Sequence, residues 1–174
     1  MTSPAAVTLR AARPEDAAAM ADLNVRAWLK GFAGLVPDAL RLGQQTGPRQ
    51  RYWEEHLPSP PPERTWVAER DGAIVGLCHL GSSRDPDCPE AGEIYGMYAA
   101  PEAVGTGVGR ALMTAAMDWL RAGPWSVAIL WTLPGDHRAA RFYRSWGWAP
   151  DGAAKTGHTP LGDLDEVRYR IVLR

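Results

Sequence analysis

Residues 101–112 read Pro-Glu-Ala-Val-Gly-Thr-Gly-Val-Gly-Arg-Ala-Leu, with glycine at 105, 107 and 109. The strand signal Glu93 to Ala99 precedes them. The most regular helical pattern in the chain follows, with Val108, Ala111, Leu112, Ala115, Ala116, Trp119 and Leu120 falling on one helix face. Glycine carries no Cβ, so alternating glycines let backbone N–H groups turn towards one point. The helix adds the positive end of its dipole. A strand, a glycine turn and a helix start in this order make a site for a phosphate or pyrophosphate, with Arg110 placed for a charge-assisted contact. A glycine turn that only packs helix on strand is the plainer alternative. No Lys-Ser or Lys-Thr follows, as a P-loop would need. The GxGxG spacing is not the GxGxxG of a dinucleotide fingerprint.

The remaining elements predict a mixed α/β fold. Val7 to Arg13 reads as a strand, Pro14 to about Lys30 as a helix, and Leu35 to Leu42 and Arg49 to Leu57 as short helices. Thr65 to Glu69 and Ala73 to Leu80 flank Asp71-Gly72, the dipeptide of a tight hairpin turn. Val127 to Thr132 is a buried strand and His137 to Trp146 a helix ended by Gly147. Glu166 to Leu173 is the last strand, paired with Trp148 to Ala153. At 174 residues the length fits one domain spanning 1–174. A net charge of −1 argues against nucleic-acid binding through bulk positive charge. No apolar run approaches a membrane span, and the N-terminus shows no signal-peptide pattern. Cys78 and Cys88 form no disulfide framework and no metal-ligand spacing. A cytoplasmic protein with reduced thiols and no metal is the expectation. Eight tryptophans fit an aromatic-lined cleft or a Trp-rich core, and permit a homodimer without requiring one.

Two blocks, in order, resemble the GNAT superfamily of acetyl-CoA-dependent N-acetyltransferases. Glu93-Ile-Tyr-Gly-Met-Tyr-Ala-Ala-Pro-Glu-Ala-Val-Gly-Thr-Gly-Val-Gly-Arg-Ala-Leu-Met113 is similar to the family's strand, phosphate loop and helix. Val104 stands where a polar side chain is usual. Asp136-His-Arg-Ala-Ala-Arg-Phe-Tyr-Arg-Ser-Trp-Gly-Trp148 resembles the family's Asn-xx-Ala-xx-Phe-Tyr-xxx-Gly-Phe segment, with Asp136 in place of Asn. The resemblance implies a central, mostly antiparallel twisted sheet of six to seven strands flanked by helices. It also implies acetyl-CoA as co-substrate. Met97, Tyr98 and Ala99 would offer backbone groups to the pantetheine arm, and Gly105, Thr106, Gly107, Val108, Gly109 and Arg110 would cradle the pyrophosphate. Asp136 would contact the pantetheine, and Tyr143 would sit near the CoA sulfur. Glu93 would hold the place of a general base.

Acetyl transfer needs a deprotonated amine, donors for the developing oxyanion and a proton for the leaving thiolate. An alkylammonium, with pKa about 10.4, cannot attack. Tyr143 suits the thiolate's proton donor; a core tyrosine beside Phe142 is the alternative. Glu93 would act on the amine through water, against the plain reading of a solvated carboxylate at a strand start. Trp28 and Phe32 would cover the acceptor cleft, although helix packing explains Trp28 equally well. Tyr95 and His79 are further candidates to line the acceptor site, although a hydrogen-bonded strand residue is the plainer reading of His79. Cys78 reads as a buried, inert thiol. The function expected is direct acetyl transfer to a primary amine of a small molecule or protein. A non-catalytic acyl-CoA sensor of the same fold is the alternative, and an unrelated nucleotide-phosphate enzyme ranks below both.

Overall fold

The apolar stripe after the glycines forms helix α4, Val108–Ala122, but Ala111, Ala115 and Trp119 of that stripe are only half-buried, and Met113 and Met117 complete the buried face instead. Val108, Leu112, Met113, Ala116, Met117 and Leu120 are all buried against the sheet. The computed structural model describes residues 6–173; the first five residues of the N-terminal stretch lie outside them. The other helices are α1 (Ala17–Gly31), α2 (Asp38–Leu42), α3 (Thr46–His56) and α5 (His137–Ser145). The strands are β1 (Thr8–Ala11), β2 (Arg64–Arg70), β3 (Ala73–Ser82), β4 (Gly92–Ala99), β5 (Val127–Thr132), β6 (Ala149–Thr159) and β7 (Gly162–Val172). They form one seven-stranded sheet in the order β1-β2-β3-β4-β5-β7-β6. Among the described residues only the β4–β5 pair is parallel. Mixed α/β with a mostly antiparallel sheet is therefore what the chain forms. No helix among the described residues is long and apolar enough to cross a membrane.

Two glycines let α4 lie close to the sheet. A Cβ on Gly76 of β3 would stand 2.5 Å from Val108 Cγ1 and 3.0 Å from Leu112 Cδ1. One on Gly92 of β4 would stand 2.5 Å from Leu120 Cδ2. On the other face, α1 buries Met20 and Leu23, while α3 adds Trp53, whose indole N–H donates to Asn24 Oδ1 at 3.1 Å. The chain entering α1 is fixed by Asp16, whose carboxylate accepts from Arg10 at 2.7 and 2.8 Å and from the Arg13 N–H at 2.7 Å. Arg10 also donates to Glu69 at 2.7 Å and so ties β1 to β2.

Asp71 and Gly72 both take positive φ, 51° and 75°, which is the backbone of the two-residue turn their sequence favours. The final hairpin differs from expectation. It begins and ends where predicted, but β6 runs on to Thr159 and β7 starts at Gly162. The added residues are mostly exposed and polar, so they carry no alternating apolar pattern to read. Helix α2 is shorter than predicted, because Leu35 and Val36 precede Pro37 at the N-cap. Helix α3 is longer at its start, with Pro48 in the first turn, where its missing N–H costs nothing.

Gly76→Ala is expected to destabilise the protein by about 1–3 kcal/mol through overpacking under α4. The test is urea unfolding, with a lower midpoint at an unchanged slope.

Candidate functional site

Strands β4 and β5 pair only at Gly92 with Ala128, Glu93 with Ile129 and Ile94 with Leu130. Beyond these positions both strands continue, β4 to Ala99 and β5 to Thr132, without pairing to each other. The parting has a local cause. In the β3–β4 register Gly96 faces His79 and Ile94 faces Leu80, which leaves Tyr95 as the extra residue of a β-bulge. A bulge bends its strand and increases the twist. The Tyr95 hydroxyl donates to the Ser82 carbonyl at 2.6 Å and holds the bulge to β3. Between the parted strands lies a cleft of about 850 Å³.

At one end of the cleft stands the start of α4. Gly105 and Gly107 have φ of 80° and 92°, a region that favours glycine. Gly107 is the N-cap and supplies no side-chain acceptor, so the first N–H groups of α4 keep no capping partner. Gly109 lines the cleft, and a Cβ there would meet Phe142 only at 3.6 Å. Lys30, Arg110 and Arg138 also line the cleft, and none forms an ion pair among the described residues. Uncapped N–H groups and three unpaired cations fit a polyanion. Two side chains of the expected cradle turn elsewhere. Val108 is buried in the core. Thr106 donates its hydroxyl to the Ala103 carbonyl at 2.8 Å and accepts from Arg70 at 3.0 and 3.1 Å. The Thr106 backbone is engaged as well, its N–H donating to the Ala103 carbonyl at 3.3 Å and its carbonyl accepting from Arg70 at 3.3 Å.

Met97, Tyr98 and Ala99 line the cleft on the stretch of β4 that has left β5. Asp136 lines it too, but its Oδ1 accepts the Ala139 N–H at 2.9 Å as the N-cap of α5. Either Asp or Asn caps a helix in this way. Tyr143 lines the cleft from α5, half-buried, with its ring 5.6 Å from Phe142 and 6.0 Å from Tyr169. Burial pushes its phenol well above the ordinary range, and the neighbouring Tyr98, Cys78 and Asp136 push the same way. Cys78 is fully buried and its thiol is raised to about 12 by that burial.

Glu93 requires a correction. It is neither solvated nor among the residues that line the cleft. Its Oε2 accepts the Arg84 N–H at 2.7 Å, and the Arg84 guanidinium lies 3.6 Å from Oε1. The carboxylate anchors the loop between β3 and β4, and this geometry does not support a general base there. Trp28 and Phe32 both line the cleft, edge to face at 4.8 Å, and the buried Trp28 indole N–H has no partner among the described residues. Tyr95 lines the cleft with its hydroxyl already committed. His79 does not line it. Its Nδ1 shares a hydrogen bond with Thr65 Oγ1 at 2.8 Å, under the edge of Trp53. Trp131, Leu164 and Glu166 line the cleft and were missed. Trp131 sits in an apolar run that reads as buried core, and the other two lie in or beside the part of the hairpin that lacks a pattern.

The pattern of the acetyltransferase (GNAT) family matches residues 24–148. Mycothiol acetyltransferase from Sanguibacter keddieii is 37% identical over 145 residues, which is 82% of this chain and 43% of that protein. The chain thus spans under half the length of that relative. The N-acetyltransferase from Staphylococcus aureus Mu50 superposes with a TM-score of 0.75 at 19% identity, over 97% of this chain and 99% of that one. PaiA N-acetyltransferase from Thermoplasma acidophilum, solved with coenzyme A, gives 0.71 at 14% identity, over 96% and 99%. At these identities the structural likeness is one of fold.

The buried His79 predicts a pH dependence of stability. Burial chiefly, with the charges of Arg84 and His56, pushes its pKa down to about 4. The unfolded chain, with His near 6.5, binds more protons between these values. Stability therefore falls as pH drops from about 6.5 to about 4, by at most about 3 kcal/mol, and this contribution levels off below. Asp16, held below the carboxylate range mainly by its Arg10 hydrogen bonds, loses its contribution only at lower pH, as the pH falls through its folded pKa. His79→Gln should flatten the upper window in urea titrations at several pH values. An unchanged slope there would assign the effect to other groups.

Proposed function

The chain belongs to the acetyltransferase (GNAT) family, and from that premise we propose that it moves an acetyl group from acetyl-CoA directly to a primary amine, within one N-acetyltransferase domain. The observation that carries this reading is the parting of β4 and β5 beside an uncapped helix start. Past Ile94 the edge of β4 has peptide groups with no β5 partner. An extended chain with its own amides, such as pantetheine, pairs with such an edge as an added strand does. Met97, Tyr98 and Ala99 supply that edge. Within Gly105 to Arg110, the backbone N–H groups other than that of Thr106 receive the pyrophosphate, and Lys30, Arg110 and Arg138 offset phosphate charge.

Tyr143 is the proton donor to the leaving thiolate. A phenol pushed above its ordinary range stays protonated at neutral pH and holds a proton for the departing thiolate. No enzyme thiol takes part, because Cys78 is locked in the sheet as a neutral group. The acceptor amine enters past Trp28 and Phe32.

Calorimetric titration should show binding of acetyl-CoA and CoA but not ATP, followed by thiol release with a primary amine. Binding of neither CoA species, or no thiol release with any amine, would overturn the reading. Gly109→Ala should leave the thermal midpoint unchanged or higher, since the Cβ meets only ordinary contact and alanine favours a helix. It should weaken acetyl-CoA binding at least about tenfold by filling the cradle. Tyr143→Phe should keep acetyl-CoA affinity and lower kcat roughly a hundredfold, the lower end of what a general acid contributes.

A further inference from the structure

Three residues of the last hairpin and β5 meet at one wall of the cleft. Trp131 of β5 lies opposite Arg168 of β7, and Glu166 lies two residues earlier on the same face of β7. Lys155 of β6 is directly opposite Glu166. The Lys155 ammonium stands 4.0 Å from the centre of the Trp131 ring and 3.5 Å from Glu166 Oε2. Trp131 and Glu166 line the cleft, and Lys155 does not. An ammonium on an indole face with a carboxylate beside it is a general arrangement for holding an alkyl cation.

The geometry points to a primary-alkylammonium site made by the Trp131 ring and the Glu166 carboxylate, held in this structure by the chain's own Lys155. The inference rests on the acetyltransferase reading and names its acceptor class: an amine on a flexible alkyl chain, as in a lysine side chain. The Lys155 side chain is 47% exposed, and an ion pair so open to water is worth little, so an ammonium arriving from the cleft can displace it. The other cation on the ring is not displaceable in this way. Arg168 lies 5.7 Å from the ring centre, and its guanidinium is bound by Asp85 and Asp151, each at 2.8 Å. Trp28, Phe32 and Leu164 give the alkyl chain an apolar wall.

Glu166 also replaces Glu93 as the proton acceptor. The ammonium passes one proton to Glu166, and the freed lone pair forms the N–C bond to the acetyl carbonyl carbon. The C–S bond breaks, the sulfur takes the Tyr143 proton, and the surplus proton on nitrogen returns to the Tyr143 oxygen. The products are the amide and CoA thiol, and Glu166 releases its proton to water.

The test compares the parent protein with Lys155→Met and Glu166→Gln, using Nα-acetyl-lysine methylamide and n-pentylamine as acceptors. Acetyl-CoA affinity is measured by calorimetry in all three. Lys155→Met should lower the amine KM at least fivefold by vacating the site. Glu166→Gln should lower kcat/KM for the amine at least tenfold and make the remaining rate follow the fraction of free amine as pH rises. Acetyl-CoA affinity should be the same in all three proteins. An unchanged amine KM in Lys155→Met, or a Glu166→Gln rate within twofold of the parent, would overturn the inference. So would intact acetyl-CoA binding with no thiol release for either amine in any of the three. Failure of the parent to bind acetyl-CoA would bring down the acetyltransferase reading, and this inference with it.

Discussion

The β-bulge at Tyr95 is the feature on which the rest of the site depends. A continuous parallel ladder between β4 and β5 would satisfy both strands and leave no cleft. The bulge turns β4 away after Ile94, so the peptide groups of the next residues lose their β5 partner. Buried peptide groups without partners are costly. Here they face an open cleft, where water or a ligand's amides satisfy them. The bulge is itself held in place, because the Tyr95 hydroxyl bonds to Ser82 and the Arg84 guanidinium lies 3.7 Å over its ring.

The same economy governs the buried polar groups nearby. Glu93 is a buried carboxylate that accepts a backbone N–H from the loop it anchors. Asp136 caps α5 and so fixes the helix that carries Tyr143. Both carboxylates accept a backbone N–H and set the position of groups that line the cleft. A charged residue at a family position is therefore weak evidence of a chemical role until its hydrogen bonds are known. Glu166, half-buried and answered among the described residues only by the exposed Lys155, is in the opposite situation.

Charge is distributed to match. The chain is nearly neutral overall, with a net charge of −1, but the cleft gathers Lys30, Arg110 and Arg138 without carboxylate partners. The cations enter the cleft from α1, α4 and α5, the bare N–H groups lie at the start of α4, and the Glu166 carboxylate enters from β7.

Periodicity alone determined the elements that bury one face. Helix α4, strand β5 and the Asp71-Gly72 hairpin were legible because apolar spacing and turn chemistry are local properties. The glycine turn was legible for the same reason: positive φ at Gly105 and Gly107 is a backbone demand that residue type records. The turn half of the β6–β7 hairpin was not legible, because residues 154–159 and 162–165, mostly exposed and polar, carry no apolar pattern. Local sequence also left open which side chains enter the cleft. Thr106 turns to Arg70, Glu93 turns to Arg84, and Trp131 and Glu166 meet across strands distant in the chain. Only tertiary structure decided these, because a polar side chain goes where its hydrogen-bond partner is, and those partners come from other elements.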